Sequence, residues 1–522
     1  MVIYEQLKLT ASKYGSKTAF VDGEKRFTFN ETLHYCDRCA EMFWQLGIRK
    51  GDAVAISLRN SVEFVIASLA LGKLGAISVP INFMISKQDE LLYILENSKS
   101  KGVITENDFL KNYEKLPAHL PELKFIMSTN SSRDRIHNFW TYLKHSHHHP
   151  QADKIWADPE DIASILYTSG TTGNPKGVLL THRNMMSNAA SSISLINPSE
   201  KDVFLALLPM FHTLCWTGNV VIPIMLGSKT LIVKNITPPK PWLTSMGKEG
   251  VTIMLAVPQI YGVLAKEAKG FKKIFLKYWA FRKVWFAASG AAPLSKTVAH
   301  SFEKAFGLKI YEGYGLTETS PIVSINSPQK MKYGSVGRAL PGVNIKIVDE
   351  NGNEILNGQP GEICVKGPNV TRGYHKNQEA TNELFAQGGW LKTGDIGIID
   401  EDGFLFIQDR KKDMVIVKGL KVFPAQIEQV INTHPKVLEN AVIGIPDASG
   451  NETMKCFCVA RPGEVLEKSE IMLFIKNNLD AYKRPREVEI VESLPKNSLQ
   501  KVLKRELLKR ELERKMHSKV PA

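Results

Sequence analysis

Short apolar runs punctuate the chain from Asp52 to Gly315, and their alternation with longer helical segments narrows the fold more than any single motif. "DAVAISL", "GAISVPIN" and "KGVITEN" alternate with longer segments of helical character, and the rhythm continues through "IASILYT", "TLIVK", "VTIMLAVP", "KVWFAASG" and "LKIYEGYG". Each run ends near a glycine or turn residue, as strands do, and stretches such as "LSKTVAHSFEKAF" read as the helices between them. Strands alternating with helices predict an α/β layered domain, whose ligands bind at the carboxyl ends of the strands.

The texture changes near Val343. "VNIKIVDENGNE", "GEICVKG" and "DGFLFIQDR" are short strands joined by tight turns, with Asn351-Gly352 a strong hairpin signal. After "DRKKDMVIVKGLKVFP" the α/β rhythm returns: helix "QIEQVINTH", strands "NAVIGIP" and "KCFCVA", and helix "SEIMLFIKNNL". This final unit has a normal domain size, and 522 residues exceed what one core usually supports. Residues 130–156, with "HSHHHP", read as a polar, irregular connector, preferred over a histidine metal site.

One loop is short of side chains and rich in exposed backbone N–H. "YTSGTTGNPKGVLLTH", from Tyr167 to His182, sets small hydroxyl residues, glycines and Lys176 behind a strand-like run. Glycines let backbone approach closely and hydroxyls add donors, so the expected ligand is a polyphosphate with Lys176 as its clamp. Pro175 before Lys176 excludes a Walker loop, and the glycine spacing does not fit the dinucleotide fingerprint. A flexible surface linker is the alternative.

The formal net charge of +14 asks for a polyanionic partner: nucleic acid, an anionic membrane surface or polyanionic small substrates. No nucleic-acid module accompanies it, so no nucleic-acid partner is expected. The charge concentrates in two places. "FKKIFLKYWAFRKVW", Phe271 to Trp285, interleaves aromatics with five Lys/Arg and suits peripheral membrane contact. In the tail, "KVLKRELLKRELERK", Leu503, Leu507, Leu508 and Leu512 form one helical stripe that reads as a solvated helix packed by its leucines. Six cysteines are too few for a disulfide framework. Cys36 and Cys39 lie in a helix without a second pair at zinc spacing, and Cys456 and Cys458 share one face of a strand. With no membrane-spanning run and no secretory signal at the start, a cytoplasmic enzyme is expected, at most peripheral at the inner membrane face.

The loop is succeeded, in order, by "LPMFH", "SGAAPL", "YEGYGLTET", "WLKTGD", "DRKKDMVIVKG" and "LPKNSLQK". Together these motifs resemble the adenylate-forming superfamily of acyl-CoA synthetases, luciferases and peptide-synthetase adenylation domains. "GYHKNQEAT" and "AYKRPREVEIVESLP" look most like its fatty acyl-CoA synthetases. The resemblance implies an acyl-CoA synthetase/luciferase-like α/β fold. A large N-terminal domain of two αβ sheets plus a distorted β-barrel would span residues 1–411, and a small mobile α+β C-terminal domain 412–522. It implies ATP, Mg²⁺ and coenzyme A acting with a small-molecule carboxylic acid.

The site residues rest on the same resemblance. Thr168, Ser169, Gly170, Thr171, Thr172 and Gly173 would wrap the β- and γ-phosphates beside Lys176. Thr317 would bond the α-phosphate, and Glu318 would hold Mg²⁺ with Thr168. Gly290 and Ala291 would face one side of adenine, with Tyr314 stacking on the other within Glu312, Gly313, Tyr314 and Gly315. Asp395 suits the ribose hydroxyls, and Arg410 the same sugar or the phosphates. His212 would stand where phosphate and acyl pockets join. Lys501 would bridge carboxylate and α-phosphate, Lys412 would be the hinge of a rotating C-terminal domain, and Gly419 would line the pantetheine tunnel. Two positions depart from the family pattern: Cys215, expected to reshape the acyl pocket, and Gln500, both at usual glycines.

The function expected is a ligase that activates a medium- or long-chain fatty acid as an acyl adenylate and passes it to CoA, as a monomer or homodimer. An acyl-AMP ligase loading a carrier protein stays open beside it, as does a non-catalytic nucleotide-binding, membrane-associated protein.

Overall fold

The computed structural model describes residues 1–131, 136–168, 174–355, 358–417, 420–446, 452–496 and 501–517. Its first sheet has seven strands in the order His137–Asn138, Phe125–Ser128, Ser100–Thr105, Ala53–Ser57, Ile77–Pro80, Ile162–Thr168 and Lys176–Thr181. All neighbours are parallel except the last pair, which is an antiparallel hairpin. The second sheet has nine strands with a parallel centre: Ile310–Gly315, Phe286–Ser289, Ile253–Ala256, Val203–Ala206, Lys229–Ile232 and Thr18–Asp22. Antiparallel strands close both of its edges.

Helices fill the space between these sheets, and one apolar cluster running from Val2 to Leu405 unites them. Helix Val62–Leu74 is buried along its whole length, the state an all-round apolar sequence requires. Its two charged residues are paired: Glu63 accepts from Trp140 Nε1 at 2.8 Å, and Lys73 meets Asp37 at 2.8 Å. The outer faces carry their own clusters, one around Tyr261, Phe281 and Phe302, the other around Leu95, Tyr113 and Ile126.

A five-stranded antiparallel sheet comes next, built from Asn344–Val348, Gly361–Lys366, Phe385–Ala386, Trp390–Ile399 and Leu405–Arg410. The Asn351-Gly352 turn is there, with Gly352 at φ +84° and Val348 bridged to Glu354. Beyond it, two apolar clusters draw only on residues from Val415 onward. They sandwich a three-stranded sheet, Val437–Pro446, Glu452–Ala460 and Glu487–Ile490, with helices Pro424–Ile431 and Lys468–Asn478 on one side.

Helix Lys504–His517 covers the other side of that sheet. Its leucine stripe divides: Leu507 is buried, Leu508 packs at the cluster edge and Leu512 stays exposed. Leu503 precedes the helix and donates its N–H to Pro495 O at 2.8 Å. A buried cation pins the tail: Lys455 Nζ lies 2.8 Å from Glu511, 2.8 Å from Glu489 and 3.1 Å from Glu487.

The stretch read as an irregular connector contains structure. Strand His137–Asn138 leads into helix Phe139–His145, capped by Asn138 Oδ1 accepting from Thr141 N at 3.0 Å and held by buried Phe139 and Leu143. Two anchors four residues apart suffice for two turns, and the polar flanks hid them. Among the described residues no helix is long and apolar enough to cross a membrane.

Candidate active site

Strands Phe286–Ser289 and Ile310–Gly315 run parallel with Ser289 opposite Glu312, so their exits leave the sheet at its carboxyl edge. That placement puts Gly290 and Ala291 beside Gly313, Tyr314 and Gly315. Ala291 has φ +67°, a left-handed backbone that costs an alanine about 1 kcal/mol. Glu312 ties the two exits together by accepting from Leu294 N at 2.9 Å, and burial pushes its carboxyl up to about 7. A side chain on Gly315 would run into the Pro321 carbonyl of the returning strand.

Below this edge lies a cavity of about 150 Å³. Gly290, Ala291, Tyr314, Thr317 and His212 line its upper part, and Phe204, Ile253 and Phe286 form its floor. The floor residues face each other across three adjacent strands, so the cavity runs along the strands from carboxyl to amino ends. Its walls are apolar apart from few groups, among them the buried Ser289 hydroxyl, which has no hydrogen-bond partner among the described residues. Burial lowers His212 to about 4, so its imidazole is neutral near pH 7. Cys215 does not line this cavity: it is fully buried in the central cluster, while its helical neighbours Leu214 and Gly218 do line it.

The glycine-rich loop closes a hairpin, with Thr168 paired to Lys176 at its mouth. Ser169, Gly170, Thr171, Thr172 and Gly173 lie outside the described residues. Lys176 Nζ stands 5.2 Å over the Tyr374 ring, and Tyr374 OH donates to Glu318 Oε1 at 2.9 Å. The segment carrying Tyr374 staples this corner: Thr371 N donates to Glu318 O at 2.8 Å and His375 N to Gly177 O at 2.7 Å.

Lys176, Glu318 and Tyr374 line a second, polar cavity of about 290 Å³, joined by Lys392 and Lys411. Leu316 belongs to both cavities, while Thr317 faces the apolar one and Glu318 the polar one. The turn Thr317–Thr319 thus divides a greasy compartment from a charged one. A hard dication bound beside phosphates takes one or two carboxylates, and the Glu318 carboxylate, steadied by Tyr374 and open to the polar cavity, fits that donor chemistry.

Asp395 closes the third side. It is 4% exposed, accepts from Tyr314 OH at 2.7 Å and lies 3.4 Å from Arg410 Nε, its register partner on the next strand. Lys501 enters the same cluster from the C-terminal unit. The flanking Lys496 and Val502 bridge each other, and Lys504 meets Glu428 at 2.8 Å. Burial, then Arg410, lowers Lys501 to about 8 while Asp395 and Asp413 pull the other way. Lys412, in the turn Lys411–Asp413, is lowered by burial and Arg410. Gly419 and Gln500 lie outside the described residues.

The structure thus brings Thr317, Glu318, Tyr314, Asp395, Arg410 and Lys501 around one turn, with His212 and Lys176 on its two sides. Sequence reasoning missed Tyr374, Ser289, Lys392 and Lys411. Tyr374 sits in the stretch "GYHKNQEAT", but its role depends on a pairing with Glu318 that no local pattern reveals.

Two family models match the chain: AMP-binding enzyme over residues 7–375 and AMP-binding enzyme C-terminal domain over residues 426–501. A long-chain-fatty-acid–CoA ligase of Escherichia coli O6:H1 is 33% identical, covering 97% of this chain and 94% of the relative. Among solved structures, the anthranilate CoA ligase AuaEII in complex with anthranoyl-AMP aligns with TM-score 0.89 and 27% identity over 98% of this chain and 97% of that one. ATP-bound MatB from Rhodopseudomonas palustris aligns with TM-score 0.87 and 28% identity over 98% and 99% of the two chains.

Proposed function

The chain belongs to the AMP-binding enzyme family, and from that premise we propose an ATP-dependent acid–thiol ligase that activates a medium- to long-chain fatty acid and transfers it to coenzyme A. The observation that carries this reading is the turn Thr317–Thr319, which holds an apolar cavity and a lysine-lined one against each other. An acyl tail fills the first and the triphosphate reaches into the second, so carboxylate and α-phosphorus meet at the turn.

A carboxylate oxygen attacks the α-phosphorus, the bond to the β-phosphate oxygen breaks, and pyrophosphate leaves with that electron pair. Negative charge spreads over phosphate oxygens during the displacement, so fixed donors around the turn do most of the work. In this reading Thr317 donates to an α-phosphate oxygen, Lys501 spans that oxygen and the carboxylate, and Lys176 faces the departing phosphates. Neutral His212 donates one ring N–H to the acid without adding a charge. Asp395, already fixed by Tyr314 and Arg410, accepts from the ribose hydroxyls. Mg²⁺ held by Glu318, with Thr168, would supply charge neutralisation to the phosphates.

The second half-reaction needs a thiol where Lys501 now stands. Displacement of the C-terminal unit, residues 412–522, about Lys412 would withdraw Lys501 and admit pantetheine past Gly419. The CoA sulfur then attacks the acyl carbon, and AMP leaves with the electrons of the broken anhydride bond.

The test is a panel of acids from short to long chain, scored for AMP release with and without CoA and for acid-dependent ATP–pyrophosphate exchange. Exchange that grows with chain length, and AMP release that requires CoA, are expected. A carrier protein replacing CoA would redirect the second step, and ATP binding without exchange for any acid would end the reading.

A further inference from the structure

Three carboxylates line the polar cavity, and their surroundings differ. Glu362 has both oxygens engaged, Oε1 accepting from Gly394 N at 3.2 Å and Oε2 paired with Lys411 at 2.9 Å. Glu383 is exposed. Glu318 stands between these two cases: Tyr374 OH donates to its Oε1 at 2.9 Å, while Oε2 has no hydrogen-bond partner among the described residues.

Tyr374 is itself held from several sides. Lys176 Nζ lies 5.2 Å over its ring, its N–H donates to Thr381 Oγ1 at 2.9 Å, and its backbone bridges Val178 of the loop hairpin. Its neighbours fasten the same segment: Leu179 N donates to Gly373 O at 3.0 Å, and His375 Nε2 lies 3.1 Å from Asn97 O. A ring fixed in this way does not swing with the carboxylate, so turning Glu318 to offer both oxygens to one ion would break a charge-assisted hydrogen bond.

That constraint bears on which cation the site takes. Mg²⁺ demands near-ideal octahedral geometry and, bound beside phosphates, uses one or two carboxylates, whereas Ca²⁺ gathers more oxygens and readily takes both from one carboxylate. A single free oxygen serves the first ion and handicaps the second. Resting on the reading of Glu318 as the metal carboxylate, we propose that Tyr374 is a positioning residue that limits Glu318 to one metal bond and thereby favours Mg²⁺ over Ca²⁺.

The test uses the full chain with Mn²⁺ and α,β-methylene-ATP, whose α–β bridge adenylation cannot break, and follows the Mn²⁺ electron paramagnetic resonance signal as Mg²⁺ or Ca²⁺ displaces it. Displacement from the free nucleotide sets the baseline. Against that baseline, the wild type should prefer Mg²⁺ to Ca²⁺. Tyr374→Phe keeps the ring under Lys176 and removes only the hydroxyl, so the ratio of the two displacement constants should move ~10-fold toward Ca²⁺, the scale of one hydrogen bond to a charged group. A site that merely loosens would weaken both ions together. A wild type without preference, or a ratio that Tyr374→Phe leaves unmoved, would overturn the proposal. Glu318→Gln separates that result from failure of the reading beneath it. If this variant binds Mn²⁺ with the nucleotide as the wild type does, Glu318 holds no metal and both ideas fall; if it loses Mn²⁺ while Tyr374→Phe keeps the wild-type ratio, only the role of Tyr374 falls.

Discussion

At the scale of single residues, Lys501 has the most to lose from its surroundings. Burial and Arg410 hold it near 8, so its proton leaves as pH rises through that value rather than through the ordinary lysine range. If protonated Lys501 serves adenylation, kcat/KM for acid-dependent pyrophosphate exchange should fall above about pH 8. Thioester formation from supplied acyl adenylate should lack this limb, and Lys501→Ala should lower exchange by about a hundredfold or more while sparing the second step. Gly218 governs the other side of the turn. A Cβ there would collide with Leu255 Cδ1 inside the apolar cavity. Gly218→Ala should therefore cut kcat/KM for the longest acids, about fourfold per methylene expelled, and leave short acids near wild type. A chain-length series of kcat/KM values checks it. The sequence made Lys501, Glu318 and Asp395 legible because each sits in a compact motif. Tyr374 was not, because its partners Glu318 and Lys176 are 56 and 198 residues away and only strand register brings them together.

At the scale of elements, the tail helix depends on one buried cation. Burial alone would depress Lys455, but its bonds to Glu489, Glu511 and Glu487 outweigh that and raise it. Removing it leaves Glu511, 5% exposed, with Arg514 as its remaining cation among the described contacts. Lys455→Met should cost about 3–5 kcal/mol, read as a lowered urea midpoint of the C-terminal unit. Exchange should suffer with it, since the Lys501 loop and the helix meet at Leu503 and Lys504. Strands were the most readable elements: runs such as "VTIMLAVP" and "KVWFAASG" are apolar because both faces of a parallel sheet are covered. Helix Phe139–His145 was not readable, since seven residues offer too short a period to detect. Nor did the chain announce that its glycine-rich loop joins two antiparallel strands. Apolar runs on either side fix strands, but their relative direction is a tertiary matter.

At the scale of the whole molecule, acid stability has an identifiable weak point. His182 is buried, neither ring nitrogen has a hydrogen-bond partner among the described residues, and burial lowers it to about 4. Unfolding frees it to take a proton at its ordinary value. The unfolded state therefore binds more protons between about pH 6.5 and 4, and stability falls as pH drops through that window, by up to about 3 kcal/mol. Urea midpoints from pH 7 to 4.5 should show this slope, and His182→Gln should flatten it. The layered arrangement also has a bearing on how such a chain can change. Gly290, Ala291, Tyr314 and Thr317, which the proposed site offers to the nucleotide, line the upper part of the apolar cavity, whereas Phe204, Ile253 and Phe286 line its floor near the amino ends of three adjacent strands. If that cavity takes the acyl tail, diet can drift with less disturbance to the engine: apolar substitutions at the floor should change which acids are accepted more than they change ATP affinity, because floor and nucleotide-facing rim are opposite ends of one compartment.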